Sequence, residues 1–305
     1  MRHEFEPSAF HVTIGSHDPV LRVADGDTIS TWCVDAGGYD RHGASITRAG
    51  NPQTGPFHVE GAEPGDSLAV RFDRLRPSAP RGRSAPVVAE NVVDPRAVRG
   101  LPPRQGMDAW LLDLDEGTAR LESPPAGLEH LPPLTLTPML GCFGVAPADG
   151  EAISTATSGP HGGNMDYRGF REGVTVELPV AVEGALLHVG DGHALQGDGE
   201  IVGTGIEVPM DVELTVSVRK SRTIGWPRAD DGEFVLAAGN ARPLDQALQH
   251  ATTELMALLE QDFGLDGRAS SALLGQCVRY EIGNVFDPAH TVVAKVEKRL
   301  LPERR

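Results

Sequence analysis

The chain has 305 residues, with 27 Lys and Arg against 43 Asp and Glu, so it carries a formal charge of −16 at neutral pH. That balance repels phosphate backbones and anionic headgroups and speaks against nucleic acid and membrane surfaces as partners. With 40% hydrophobic residues the chain can bury a large core without staples, and the three cysteines (Cys33, Cys142 and Cys277) form neither a disulfide framework nor a zinc-knuckle spacing.

The opening MRHEFEPSAFHVTIG lacks the apolar stretch of a signal peptide, and no run approaches the about 18 apolar residues that cross a bilayer. A cytoplasmic protein is the expectation. Along the chain, 36 glycines and 24 prolines cut the sequence into short, β-branched runs. SLAVRF (67–72), VTVELPVAV (174–182) and DVELTVSV (211–218) read as strands; in the last, Val212, Leu214, Val216 and Val218 alternate with polar residues, the period of a half-buried strand. Turns such as EPGD (63–66), ADG (148–150) and GDGE (197–200) separate such runs. The fold class expected is mainly β: a β-sandwich or barrel-like core with a smaller α+β part and C-terminal helices. Residues 76–108, rich in Pro and Arg and without periodicity, read as a long excursion, either a lid or a flexible segment.

The helical signal begins near residue 240. Leu244, Ala247, Leu248, Ala251, Leu255, Leu258 and Leu259 recur at three- and four-residue spacing, with Pro243 in the first turn and Gly264 as a stop. A second helix over 270–278, capped by a serine, and an extended HTVVAKVE follow. The organisation expected is one unit over 1–305, with a mainly β core at 1–235 carrying the site and a helical segment at 240–285 packed on it.

Four polar, glycine-rich segments carry the chemistry-bearing residues: 25–38, 51–66, 161–168 and GALLHVGDGHALQGDGE at 184–200. In the last, Asp191, His193 and Glu200 are ligand-type groups for a divalent cation, while a metal-free hydrogen-bonded turn network explains the same residues. Asn164 and Asp166, after two glycines, offer a donor to an oxyanion and a base or metal ligand, or else are turn formers. His58 and Glu60 share one face of an extended run, with Glu63 and Asp66 flanking a solvent turn. Nucleophile motifs are missing: there is no G-x-S-x-G elbow, no Ser-x-x-Lys, no P-loop and no G-x-G-x-x-G, and Cys142 has apolar neighbours.

Taken together, NPQTGPFHVEGAEPGD, PMLGCFGVAP, GPHGGNMD and LPVAVEGALLHVGDGHALQGDGEIVGTGIEV, with ATTELMALL more loosely, resemble the acetamidase/formamidase family of amide hydrolases, over about residues 20–295. The resemblance implies hydrolysis of a short linear amide to carboxylate and ammonia, in a cytoplasmic homo-oligomer (dimer or higher) holding a divalent metal ion, zinc first and calcium as the alternative. Carried over by motif position, Asp191, His193, Gln196 and Glu200 line the site with Asn164, Asp166 and Asp35; the mechanism expected for an amide makes Glu200, Asn164, Asp166 and Gln196 the catalytic set and Asp191, His193 and Asp35 the metal set. In that scheme Glu200 shuttles the proton and Asn164 donates to the oxyanion. The 76–108 excursion is shorter and more basic than in the longer formamidase-like members, and no large insertion precedes the GGN motif, so the chain looks more like the acetamidase type. A larger amide, a carbamoyl compound or a cyclic imide as substrate, and a non-catalytic metal-stabilised binding protein, stand as the alternatives.

Overall fold

A computed structural model describes residues 1–305. Two large sheets dominate it. The first has nine strands, ordered Arg2–Glu4, Thr28–Cys33, Met210–Arg219, Ser67–Pro77, Thr175–Pro179, Arg228–Asp230, Phe234–Ala241, His290–Glu297 and Arg279–Ile282. All its pairings are antiparallel except that of Arg2–Glu4 with Thr28–Cys33. The second has six strands, ordered Ser158–Gly159, Gly162–Asn164, Met139–Gly144, Leu187–His193, Gln53–Val59 and Leu21–Val23. The mainly β expectation is met.

The alternation in 211–218 does what it predicts: Val212, Leu214 and Val216 are buried while Glu213, Thr215 and Ser217 are half-exposed. These apolar faces join one core that includes Phe57, Phe72, Phe143, Phe170, Leu187 and Val189. Inside it the rings of Phe72, Phe143, Phe170 and Tyr167 meet edge to face in a row, with centroids 5.1, 5.2 and 5.1 Å apart. The strands of the six-stranded sheet other than the edge strand Leu21–Val23, in contrast, are buried along their whole length, which lets polar side chains sit at their ends without reaching bulk water.

Helix α1 spans Leu244–Phe263 and lays Ala247, Ala251, Leu255, Leu258 and Leu259 on Val235, Ala237, Val292, Ala294 and Val296. The approach is close: a Cβ on Gly239 would collide with the backbone of Ala247 and Ala251, so the strand needs glycine there. Pro243 is the N-cap, and Gly264 ends the helix at φ +67°, the left-handed region that glycine reaches without penalty. Helix α2 spans Gly267–Cys277, three residues earlier than its sequence suggests, because Asp266 and not a serine caps it, accepting from Ala269 N–H at 2.8 Å. HTVVAKVE is the strand His290–Glu297.

Residues 76–108 are more ordered than their composition implies. They finish the strand Ser67–Pro77, continue through the strand Arg81–Ser84 and two 3₁₀ turns, and enter the strand Asp108–Asp113. Backbone bonds from Arg83 to Glu207 and from Ala89 to Ile201, with Ala85 N–H on Thr204 Oγ1, lay this excursion over residues 201–207. Its strand Arg81–Ser84 pairs antiparallel with Asp108–Asp113, where the excursion ends. Asp66 departs from its expected place in a solvent turn: it is buried and accepts from Lys220 and from the backbone of Glu63 and Ser221, whereas Glu60 and Glu63 are exposed.

Candidate metal centre

The strand Leu187–His193 delivers Asp191 and His193 to one point, its neighbour Met139–Gly144 supplies the floor, and Gly162–Asn164 leads into Asp166. At Gly141 a Cβ would strike Asp166 Oδ1 and come within 2.8 Å of Asp191 Oδ2 and 3.0 Å of His193 Cε1, so the glycine in PMLGCFG makes the room that these side chains occupy. Gly141 O also accepts the N–H of both Met165 and Asp166, at 3.0 and 3.1 Å, which holds the Asp166 turn. Eight non-glycine residues adopt positive φ, and four of them, Asn51, Asp166, Asp191 and Glu200, place side chains here. Each such conformation costs on the order of 1–3 kcal/mol, and its concentration at one point indicates that the fold is constrained by this cluster.

Three overlapping groups have one donor atom from each member within 4.8 Å of the others: Asp166, Asp191 and His193; His193, Glu200 and Glu207; and Asp166, Glu200 and Asp287. All six residues are buried. None of the five carboxylates has a Lys or Arg ion-pair partner; their one basic neighbour is His193, whose Nε2 lies 3.0 Å from Glu207 Oε1 and 3.4 Å from Asp191 Oδ1.

The orientation of that imidazole follows from Gln196. The Gln196 amide donates to the carbonyls of Asp166 and Gly283, at 2.5 and 3.3 Å, so its oxygen must face His193. Carbonyl oxygen only accepts, hence His193 Nδ1 carries the proton of their 2.8 Å bond. Nε2 is then left to point a lone pair, or a second proton, at two carboxylates. An imidazole with its far nitrogen bonded in this way is the usual second half of a metal-ligand histidine.

The acids follow the same pattern, with one oxygen held and the other free. Asp166 Oδ2 accepts from Asn164 and Asn284, Asp191 Oδ2 accepts from Asn51, and Glu207 Oε1 accepts from Gly205 N–H. Asp166 Oδ1, Asp191 Oδ1, Glu207 Oε2 and His193 Nε2 are buried without a hydrogen-bond partner. Leaving a buried polar atom unpaired costs roughly 1–3 kcal/mol, more when it is charged. Four such atoms lie in overlapping groups around His193, and groups of this kind could hold a cation.

Without a cation the charge is met by protons. Burial pushes Glu207 up to about 7 and Asp287 up to about 6. Burial, then the charges of Glu200, Asp287 and Asp191, raises Asp166 well above the usual carboxylate range. Burial raises Glu200 likewise, against the pull of His193. Burial alone would lower His193, yet Glu207 and Asp191 hold it well above the ordinary imidazole value. A divalent ion replacing these protons would resolve the same imbalance, which makes its binding proton-coupled. An imidazole and carboxylates together suit zinc, and the carboxylates alone suit harder cations such as calcium.

The structure thus brings together six of the seven residues singled out from sequence: Asp191, His193, Gln196, Glu200, Asn164 and Asp166. Asp35 is elsewhere: Oδ1 accepts from Tyr39 N–H at 2.9 Å and Oδ2 from Arg83 at 2.5 Å, and it belongs to none of the three donor groups. Asp198, inside the same motif, is exposed and paired with Arg168. His58 is buried beneath Gly184, away from these groups. Sequence reasoning missed Glu207, which reads as one residue of a strand-like GIEVP; Asp287 and Asn284, which arrive from beyond the helices in a segment with no glycine-rich signature; and Asn51, the first residue of a segment singled out for other members.

Fold and donor set define a mainly β protein built around a buried acid and imidazole centre that could hold a metal ion. A family model described as the acetamidase/formamidase family matches residues 116–229. The chain is 30% identical to the crystallised acetamidase of Yersinia enterocolitica, covering 99% of this chain and 94% of that one with a TM-score of 0.84. For the Bacillus halodurans acetamidase the identity is 28%, the coverage 98% of each chain and the TM-score 0.83. The chain belongs to the acetamidase/formamidase family. It is also 28% identical over 214 residues to the formamidase of Methylophilus methylotrophus, a match that covers 55% of this chain and about half, 51%, of that relative's length.

Proposed function

We propose that the protein hydrolyses the C–N bond of a short linear amide, acetamide or formamide, to the carboxylate and ammonia. The observation that carries this reading is His193 Nε2, turned by Gln196 toward a ring of carboxylates with free oxygens. Family membership supports the reaction class. Asp191, His193 and Asp166 would hold the divalent ion, zinc first and calcium as the alternative. When bound, such an ion polarises a carbonyl and lowers the pKa of water.

The protein's own residues supply the proton traffic. Glu200 belongs to two of the three donor groups, and burial raises it well above the usual carboxylate range, so its carboxyl can hold a proton as well as accept one. It takes the proton of the attacking water and returns it to the departing nitrogen. Asn164 has no N–H to spare for an oxyanion: its two amide hydrogens go to Asp166 at 2.8 Å and Asp287 at 2.6 Å, so it orients those acids instead. Gln196 sets the His193 tautomer. A cytoplasmic homo-oligomer is part of the same proposal, resting on the family resemblance.

The test is ammonia release from formamide, acetamide, longer linear amides and a carbamoyl compound, and ring opening of a cyclic imide to its half-amide, monitored as substrate loss, using protein as purified, stripped by chelator, and stripped then reloaded with Zn²⁺ or Ca²⁺. Turnover of acetamide or formamide that disappears on stripping and returns on reloading is expected. Turnover of the larger compounds or the imide alone would move the substrate class, and full activity in the stripped protein would remove the metal from the reaction.

A further inference from the structure

We infer that Asn51 is a positioning residue of this centre, and that Asp35 and Arg83 set its placement from outside the cluster. The inference rests on the reading of the cluster as a metal centre.

Asn51 is held in the left-handed region at φ +53°. Its Nδ2 donates to Asn164 Oδ1 at 2.9 Å and to Asp191 Oδ2 at 3.1 Å. The first bond decides which way the Asn164 carboxamide faces, sending its hydrogens to Asp166 and Asp287. The second occupies one Asp191 oxygen and leaves Oδ1 free beside His193 Nε2. One carboxamide thereby orients three acids, two of them through Asn164. Outer-sphere donors of this type are commonly worth 10- to 100-fold in metal affinity.

Asn51 ends a loop that begins at Asp35. The N–H groups of Gly50 and Asn51 both bond Ala36 O, at 3.1 and 3.2 Å, and Ile46 N–H bonds Gly38 O at 3.0 Å, so the two ends are tied one residue from Asp35. Thr155 Oγ1 holds Gly50 O at 2.9 Å from the other side. Asp35, buried, spends one oxygen on Tyr39 N–H within the loop and the other on Arg83, whose guanidinium lies 4.0 Å from the centroid of the Tyr39 ring. Arg83 is anchored in turn by two backbone bonds to Glu207, at 3.1 and 2.8 Å. The pair is therefore a clasp between the segment carrying Glu207 and the loop carrying Asn51. An acid that sequence position nominates as a ligand acts on the centre through the loop.

Zn²⁺ and Ca²⁺ are titrated into chelator-stripped protein in competition with a chromophoric chelator, for the wild type, Asn51→Ala, Arg83→Ala, Arg83→Lys and the double variant Asn51→Ala/Arg83→Ala, with thermal unfolding of each stripped protein. Asn51→Ala is expected to weaken the preferred ion about 10- to 100-fold while the stripped melting temperature holds. Arg83→Ala should lose severalfold, Arg83→Lys should recover most of it, and the double variant should bind no more weakly than Asn51→Ala, because Arg83 acts through Asn51. Wild-type affinity in Asn51→Ala overturns the positioning role, and additive losses overturn the clasp. A wild type that takes up neither ion overturns the metal reading and this inference together, an outcome distinct from either.

Discussion

Two regions of this molecule bury charge, and they do so in opposite ways. Where α1 meets the nine-stranded sheet, Arg222 bridges Glu177 and Asp262, Arg304 joins Asp262, and Arg228 pairs with Glu254 and Gln261. Burial would raise Asp262, but the bonds from Arg222 and Arg304 hold it below the usual carboxylate value. In the centre around His193, five buried carboxylates face one imidazole, no guanidinium reaches them, and four donor atoms have no partner. Buried charge that is paired ties elements together, whereas buried charge left over reports something the chain alone does not supply.

The largest way to break that contrast is Arg228→Met. If the helix-side network is structural, leaving Glu254 buried without its cation should cost about 3–5 kcal/mol of unfolding free energy in urea titrations, while kcat per folded molecule stays near wild type. A large loss of kcat with normal stability would erase the distinction. Glu200→Gln tests the other side and should show the reverse: at least about 10²-fold lower kcat, with metal still bound and no loss of stability. Undiminished turnover would remove Glu200 from the proton traffic.

A smaller effect sharpens the comparison further. Burial raises Glu207 in the metal-free chain to about 7, above its ordinary 4.5. The folded state therefore keeps a proton that the unfolded state releases, and stability falls as pH climbs through that window. In stripped protein Glu207→Gln should gain roughly 1–3 kcal/mol over wild type at pH 8, an advantage that fades as pH drops toward 4.5. Metal affinity should weaken at the same time. Equal stability of the two proteins at both pH values would mean that the carboxylate is better satisfied than its geometry implies.

Much of the local structure was legible. The alternation in DVELTVSV, the apolar stripe from Leu244 to Leu259 and the Gly264 stop depend on side chains within a few residues of one another, and they appear where their periods put them, except that Leu248 is exposed at the margin of the stripe. The 190–200 motif was legible for a similar reason, since four of its site residues, Asp191, His193, Gln196 and Glu200, lie within ten positions on one strand and the turn after it. Asp35 shows the limit: a buried acid near glycines has the same local signature whether its partner is a cation in a pocket or Arg83, 48 residues away. Asp287 and Asn284 had no readable signal, because their role exists only through the contact of their loop with Asn164 and Asp166, about 120 residues earlier.

By itself, the sequence determined the strands and helices that carry a clear period and which motif would carry ligand-type groups, since backbone preference and side-chain period act over a single turn or pleat. The tertiary structure alone decided which acids would be neutralised and which would be left facing one another. That outcome depends on the order of strands in the sheets: Met139–Gly144 lies between Gly162–Asn164 and Leu187–His193, which sets Gly141 under Asp166 and Asp191. A charge is satisfied or stranded according to what stands within about 4 Å of it, and that neighbour is chosen by the fold.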